Sequence, residues 1–296
     1  MPHPVRVHDP RFAAVMGKAP EGEVIAKGFV FTEGPVWHPK EKWLAFSDIP
    51  ANRLHRWTPQ GGCTVWREPS HMANGNTLDR QGRLVTCEHA TSRVTRTGAD
   101  GKVTVLASHW QGKELNSPND VVVRSDGRIY FTDPTYGRQG DTGLARPLAL
   151  PFRGVFRIDP DGSLHLLADD YIEPNGLAFV PGERRLYVND SEAGTIRVYD
   201  VDPDGGIAGG RVWAAPGVDK TGSPDGMKVD SAGNVYCCGP GGMYVYAPDA
   251  TLLGVVLFEE FIANMAFGGD DLRDLYCTVT SAVYRFRVQV PGQPVF

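Results

Sequence analysis

The chain has 296 residues, 41% hydrophobic and 22% charged, with a formal net charge of -5, enough for one large or two ordinary globular domains with ample core. Without a basic stripe or a nucleic-acid motif, nucleic acid is not an expected partner, and no apolar run approaches the ~18 residues that span a bilayer, so neither is a membrane. Gly 35 and Pro 23 exceed ordinary usage while aromatics stay at 10%, which points to a turn-dense all-β protein rather than to disorder.

The opening MPHPVRVHDPRFAAVMGKAP has no basic region followed by an apolar one, so no secretory signal is read and a cytoplasmic location is expected. Residues 1–20 are expected to form an extension that packs outside the fold or moves, ahead of a single domain over 21–296. Six hairpin-like repeats follow: EGPVWHPKEKWLAFSD from Glu33, NGNTLDRQGRLVTCEH from Asn74, SPNDVVVRSDGRIYFTD from Ser117, NGLAFVPGERRLYVND from Asn175, PDGMKVDSAGNVYCCG from Pro224 and NMAFGGDDLRDLYCTV from Asn264. Their leading polar residues recur every 39 to 56 residues. A further β-like run and turn stand behind most of them, as in GVFRIDPDGSLHLLAD, so each repeat holds about four strands.

Six such repeats match an all-β, six-bladed β-propeller with four-stranded antiparallel blades, because radial repetition leaves only short edges. The last repeat is a strand short, and EVIAKGFVF, ahead of the first, is expected to close the ring by pairing in the last blade. Gly137 to Pro151 reads as a long insertion in the third blade. Trp37, Trp43 and Trp57 read as inter-blade core. The five cysteines are odd in number and lack C-x-x-C spacing, so buried free thiols in a reducing compartment are expected.

The first strand of each propeller blade lines the central channel, so Glu33, Asn74 or Asn76, Asn119, Asn175, Asp225 and Asn264 are expected to converge at one end of it. Asn-Gly and Asp-Gly are also ordinary turn formers. Recurrence at one repeat position, with two acids that would repel unless a cation or proton lay between them, favours a metal site. Carboxylate and amide oxygens are hard donors, and no His-x-His, H-E-x-x-H or cysteine pair offers soft ones, so calcium or magnesium is favoured over a histidine-bound zinc.

These residues resemble the gluconolactonase branch of the SMP-30/gluconolactonase/LRE family, through FTEGPVW (Phe31 to Trp37), SPND (Ser117 to Asp120), PNGL (Pro174 to Leu177) and SPDGM (Ser223 to Met227), over about residues 25–290. The resemblance implies one catalytic divalent metal in the channel, usually Ca2+, with Mg2+, Mn2+ and Zn2+ as the other candidates. It carries the metal ligands onto Glu33, Asn175 and Asp225, with Asn119 as ligand or close neighbour. Ser117 stands where animal relatives can carry a substrate-binding Arg, and the segment from Cys87 to Arg96 is similar to the bacterial enzymes.

The implied activity is opening of a sugar lactone, such as glucono-1,5-lactone to gluconate. The catalytic residues are Asp225, as base or as ligand alone, and Glu33. The ends of the second strands, including Glu88, His89 and Asp133, are expected on the face that holds the metal, because each hairpin returns to the end where it began. With Ser117, Asn119 and Tyr136 they are the substrate-binding candidates. The partner is then a small-molecule lactone, and the protein a monomer or a dimer. A phosphotriester hydrolase using the same cation and a non-catalytic binding propeller with a structural metal are the alternatives. No G-x-S-x-G elbow is present for a serine hydrolase.

Overall fold

The computed structural model describes residues 3–295. Each repeat folds into one antiparallel sheet, and six sheets form the blades of an all-β propeller. The inner strands are Thr32–His38, Ala73–Leu78, Val121–Val123, Pro174–Phe179, Met227–Val229 and Ile262–Gly268. Apolar residues fill the spaces between neighbouring blades. Trp37 stacks on Tyr276 at 5.4 Å, joining the first blade to the last, and Trp57 packs in the same cluster. Trp43 lies in the next one, with Ala73, Leu78 and Leu84 of the second blade. All five cysteines are free, and all but the half-buried Cys63 are buried.

The ring closes as expected: Gly22–Lys27 pairs antiparallel with Ala282–Arg287, Val24 opposite Tyr284, as the outer strand of the sixth blade. The chain ahead of it is integrated too. Val5–Val7 adds a fifth strand to the fifth blade, Val5 opposite Val256. The single-turn helix Phe12–Met16 buries Phe12, Val15 and Met16 in a cluster shared by the fifth and sixth blades. Packing holds this helix, since it has no side-chain cap and is far too short to persist alone. Residues 1 and 2 of the expected extension, and Phe296, lie outside the described residues.

The channel has two different mouths. Across one runs the C-terminal segment, where Gln293 Nε2 donates to the carbonyls of Phe179 (3.2 Å) and Val229 (3.1 Å), tying the tail to the inner strands of blades four and five. At the other, the loops that enter the inner strands leave a polar pocket. Among the described residues no helix is long and apolar enough to cross a membrane.

Candidate functional site

The leading polar residues reach this mouth through a recurring irregularity. The register of the inner and second strands shifts between Glu33 and Val36, between Ala73 and Asn76, and between Pro174 and Leu177. Such a bulge bends the strand and re-aims one side chain, and it turns Glu33, Asn74 and Asn175 into the pocket. The glycines that follow allow close approach of the blades, and Gly34 in addition takes a left-handed φ of 52°. A Cβ on Gly34 would lie 2.0 Å from the carbonyl oxygen of Asn74, and one on Gly176 2.3 Å from that of Asp225. Hydroxyls of the second strands complete each junction: Ser47 Oγ donates to Asn74 O at 2.6 Å and Thr132 Oγ1 to Asn175 O at 2.8 Å.

The pocket encloses about 290 Å3, at the small end of ligand sites. Its polar floor holds Glu33, Asn74, Asn119, Asn175 and Asp225, and Phe31, Ile49 and Phe261 form an apolar wall. Asn175 Nδ2 donates to Ser191 Oγ at 3.0 Å, and Ser191 Oγ donates onward to Pro224 O, so the amide is fixed with its Oδ1 free. That Oδ1 and the Oδ1 of Asn74 are buried without a hydrogen-bond partner, an arrangement that costs free energy unless a ligand or ion completes it.

The second-strand histidine explains the Asn74 orientation. His89 Nδ1 lies 2.8 Å from the carbonyl of Thr142, which only accepts, so Nδ1 carries the proton and Nε2 receives the Asn74 amide at 3.1 Å. Burial lowers the imidazole to about 4, so His89 is neutral at ordinary pH and its lone pair is already used.

Three carboxylates and one ammonium share the channel. Burial, and then the nearby Asp120, push Glu33 up to about 7. Burial, and then Glu33, push Asp225, a half-buried residue of the pocket lining, well above the usual carboxylate range. Lys228 Nζ stands 3.9 Å from Asp120 Oδ2. With all groups charged, Glu33, Asp120 and Asp225 against Lys228 leave two negative charges, which one divalent cation balances. Among the described residues no three His, Cys, Asp or Glu side chains form a metal-holding cluster; the oxygens that face the pocket come from two acids and from amide side chains.

Glu33, Asn119, Asn175, Asp225, His89 and Tyr136 thus meet at one pocket. Three other expected substrate contacts do not. Glu88 is fully buried and consumed by Arg93 Nη2 (2.7 Å), Thr91 Oγ1 (2.7 Å), Thr95 Oγ1 (3.0 Å) and Arg67 Nη2 (3.4 Å). Asp133 accepts the backbone N–H groups of Asn116 and Ser117, each at 2.8 Å, while burial raises its carboxyl to about 7. Asp190 does the same for Ile172 and Glu173, and Asp48 for Val30 and Phe31. Asp48, Asp133 and Asp190 thus staple the loops that lead into the inner strands of the first, third and fourth blades. Ser117 Oγ donates to Pro134 O at 2.6 Å and accepts from Gly137 N at 2.9 Å, so it anchors the turn that carries Tyr136.

Sequence reasoning missed the apolar wall. Phe31 and Phe261 stack at 6.1 Å, each one residue ahead of the inner strand of its blade. Their shared blade position was the signal. Thr142 and Ser191, also in the lining, carried none, since both act through contacts that only the fold creates.

The family described as "SMP-30/Gluconolactonase/LRE-like region" matches residues 31–282. A gluconolactonase of Zymomonas mobilis is 32% identical over 96% of this chain and 85% of its own length. A pentonolactonase of Haloferax volcanii is 31% identical over 89% of this chain and 93% of its own. The solved structure of a Xanthomonas campestris gluconolactonase superposes with a TM-score of 0.90 at 32% identity, covering 97% of both chains.

Proposed function

The chain belongs to the SMP-30/gluconolactonase/LRE family and is a sugar-lactone hydrolase, and we propose that it opens an uncharged aldonolactone such as glucono-1,5-lactone at the channel-mouth pocket, with one divalent cation held by Glu33, Asn175 and Asp225. Asn119 lies beside this set as a further ligand or substrate contact. The observation that carries the reading is the pairing of two buried acids, Glu33 raised by burial and then by Asp120, Asp225 by burial and then by Glu33, with the partnerless Oδ1 of Asn175. Calcium suits oxygen donors of this kind better than zinc does.

A hard divalent cation supplies Lewis-acid polarisation of the lactone carbonyl and stabilises negative charge on its oxygen. The chain's own groups do the rest. The Asp225 carboxylate takes a proton from the attacking water as the new C–O bond forms, and returns it to the ring oxygen as the ester C–O bond breaks. Glu33 stays a ligand, with Oε2 occupied by the Asn264 amide at 3.0 Å. Burial keeps the Tyr136 phenol protonated, a donor for sugar hydroxyls. Phe31, Ile49 and Phe261 offer the apolar face of the ring a dry wall.

The test is a substrate panel on one preparation: glucono-1,5-lactone, a pentonolactone and a phosphotriester, with spontaneous hydrolysis subtracted. Turnover of a lactone in preference to the phosphotriester supports the reading. Turnover of the phosphotriester alone, or of none of them, overturns it.

A further inference from the structure

Beneath the pocket a second polar layer runs across the channel. Lys228, on the inner strand Met227–Val229, donates from Nζ to its neighbour's carbonyl, Met227 O, at 3.0 Å and to Asn264 Oδ1 at 3.2 Å. Asn264 Oδ1 also accepts from Met265 N at 2.8 Å. With two donors on that oxygen, the amide has one orientation, and its Nδ2 points to Glu33 Oε2 at 3.0 Å. On the other side of the ammonium, Asp120 Oδ2 is buried, has no hydrogen-bond partner, and lies 3.9 Å away.

We propose that Lys228 is a positioning residue: it fixes Glu33 through Asn264 and cancels the charge of Asp120, setting the cation site at two negative charges and so selecting divalent over trivalent ions. The inference rests on the divalent-cation reading above and adds what determines the charge of the bound ion. Two physical facts carry it. A carboxylate held by a fixed amide keeps its other oxygen aimed at the site, as second-layer partners do around metals. A charge inside the channel, as the buried Asp120 and the part-buried Lys228 are, acts on a bound cation with less screening than a surface charge, and in proportion to that cation's charge.

That proportionality gives a readout that a merely structural role would not move. Chelator-stripped protein is titrated calorimetrically with Ca2+ and with Tb3+, and the ratio of the two dissociation constants is compared between variants. Loss of packing or alignment weakens Tb3+ at least as much as Ca2+ and so cannot move the ratio toward Tb3+, whereas an added negative charge at the site does. Lys228→Met leaves a third unbalanced negative charge and should shift the ratio toward Tb3+ by at least about tenfold. Lys228→Arg should stay within about twofold of the natural protein. Asp120→Asn should shift it the opposite way, toward Ca2+, and the double variant Lys228→Met with Asp120→Asn should return it to the starting value.

If Lys228→Met alone does not fold, the Asp120→Asn and double-variant ratios decide. A ratio unchanged in Lys228→Met, or a double variant that fails to return it, overturns the inference while the cation reading stands. Natural protein that binds neither ion sinks the cation reading itself, and this inference with it.

Discussion

Asn74 Nδ2 donates to His89 Nε2 across 3.1 Å, and the same imidazole donates from Nδ1 to the Thr142 carbonyl at 2.8 Å. A residue that looks like a base is therefore a spacer with both nitrogens engaged, and its product is the free Oδ1 of Asn74 in the pocket. His89→Phe should lower kcat/KM by about 10- to 100-fold, the usual effect of losing a second-layer partner, and leave the shape of the pH–rate profile between pH 5 and 8 unchanged. Loss of a limb from that profile would instead make His89 the base.

Glu33 links pH to stability in cation-free protein. Its folded value, about 7 against an ordinary 4.5, means that the native state holds the proton more tightly than the unfolded chain does. The contribution is present in full below pH 4.5 and is lost as pH rises through 7, up to about 3 kcal/mol. Chelated protein should melt lower at pH 8 than at pH 5, and Ca2+ should restore much of the difference. Glu33→Gln should flatten the dependence; a chelated natural protein equally stable at both pH values would contradict it.

Asp225→Asn removes one of the two facing charges and the proton acceptor together. Turnover should fall by at least about 1,000-fold, while the chelated variant melts higher than the chelated natural protein at pH 8, because repulsion with Glu33 is relieved. Activity assays and thermal melts on one preparation separate the two effects. A variant that is both inactive and less stable would point to a structural role.

Close approach of the blades makes a sharp contrast between glycines. Gly176→Ala places a Cβ 2.3 Å from the Asp225 carbonyl, which the ring can relieve only by moving the segment that carries Asp225 into its strand, at a cost of about 2–4 kcal/mol. Gly140→Ala, in the insertion, meets nothing within 4 Å and should change stability by no more than about 0.5 kcal/mol. Urea unfolding of the two variants gives the comparison, and equal effects would reject it.

Glu88 separates the structural from the substrate-binding reading of the second-strand acids. Glu88→Gln leaves Arg67 and Arg93 without their buried counter-charge and should destabilise by about 2–3 kcal/mol, less than a fully buried pair because both arginines are partly exposed. KM for the lactone should stay within about twofold. A large rise in KM with unchanged stability would restore Glu88 to the substrate.

The architecture was legible because repetition is a pattern in sequence: six polar-led hairpins at blade spacing require a ring, and a last repeat one strand short requires the Gly22–Lys27 closure that the fold contains. The convergence of Glu33, Asn175 and Asp225 followed from the same periodicity. That Glu88, Asp133 and Ser117 are engaged away from the pocket was not legible, because position along a strand sets which end of the blade a side chain occupies, not whether its oxygens are already taken. Backbone N–H groups of the entering loops claim Asp133, and arginines claim Glu88. The role of the Val5–Val7 strand depends on an edge more than 240 residues away in sequence, which no local pattern announces.

The central claim is tested most directly by following acid release from glucono-1,5-lactone with enzyme stripped by EGTA and then resupplied with Ca2+, Mg2+, Mn2+ or Zn2+ in turn. The account predicts that stripping lowers the enzymatic rate by at least about 100-fold and that Ca2+ restores it. Full activity after verified removal of the metal would contradict it.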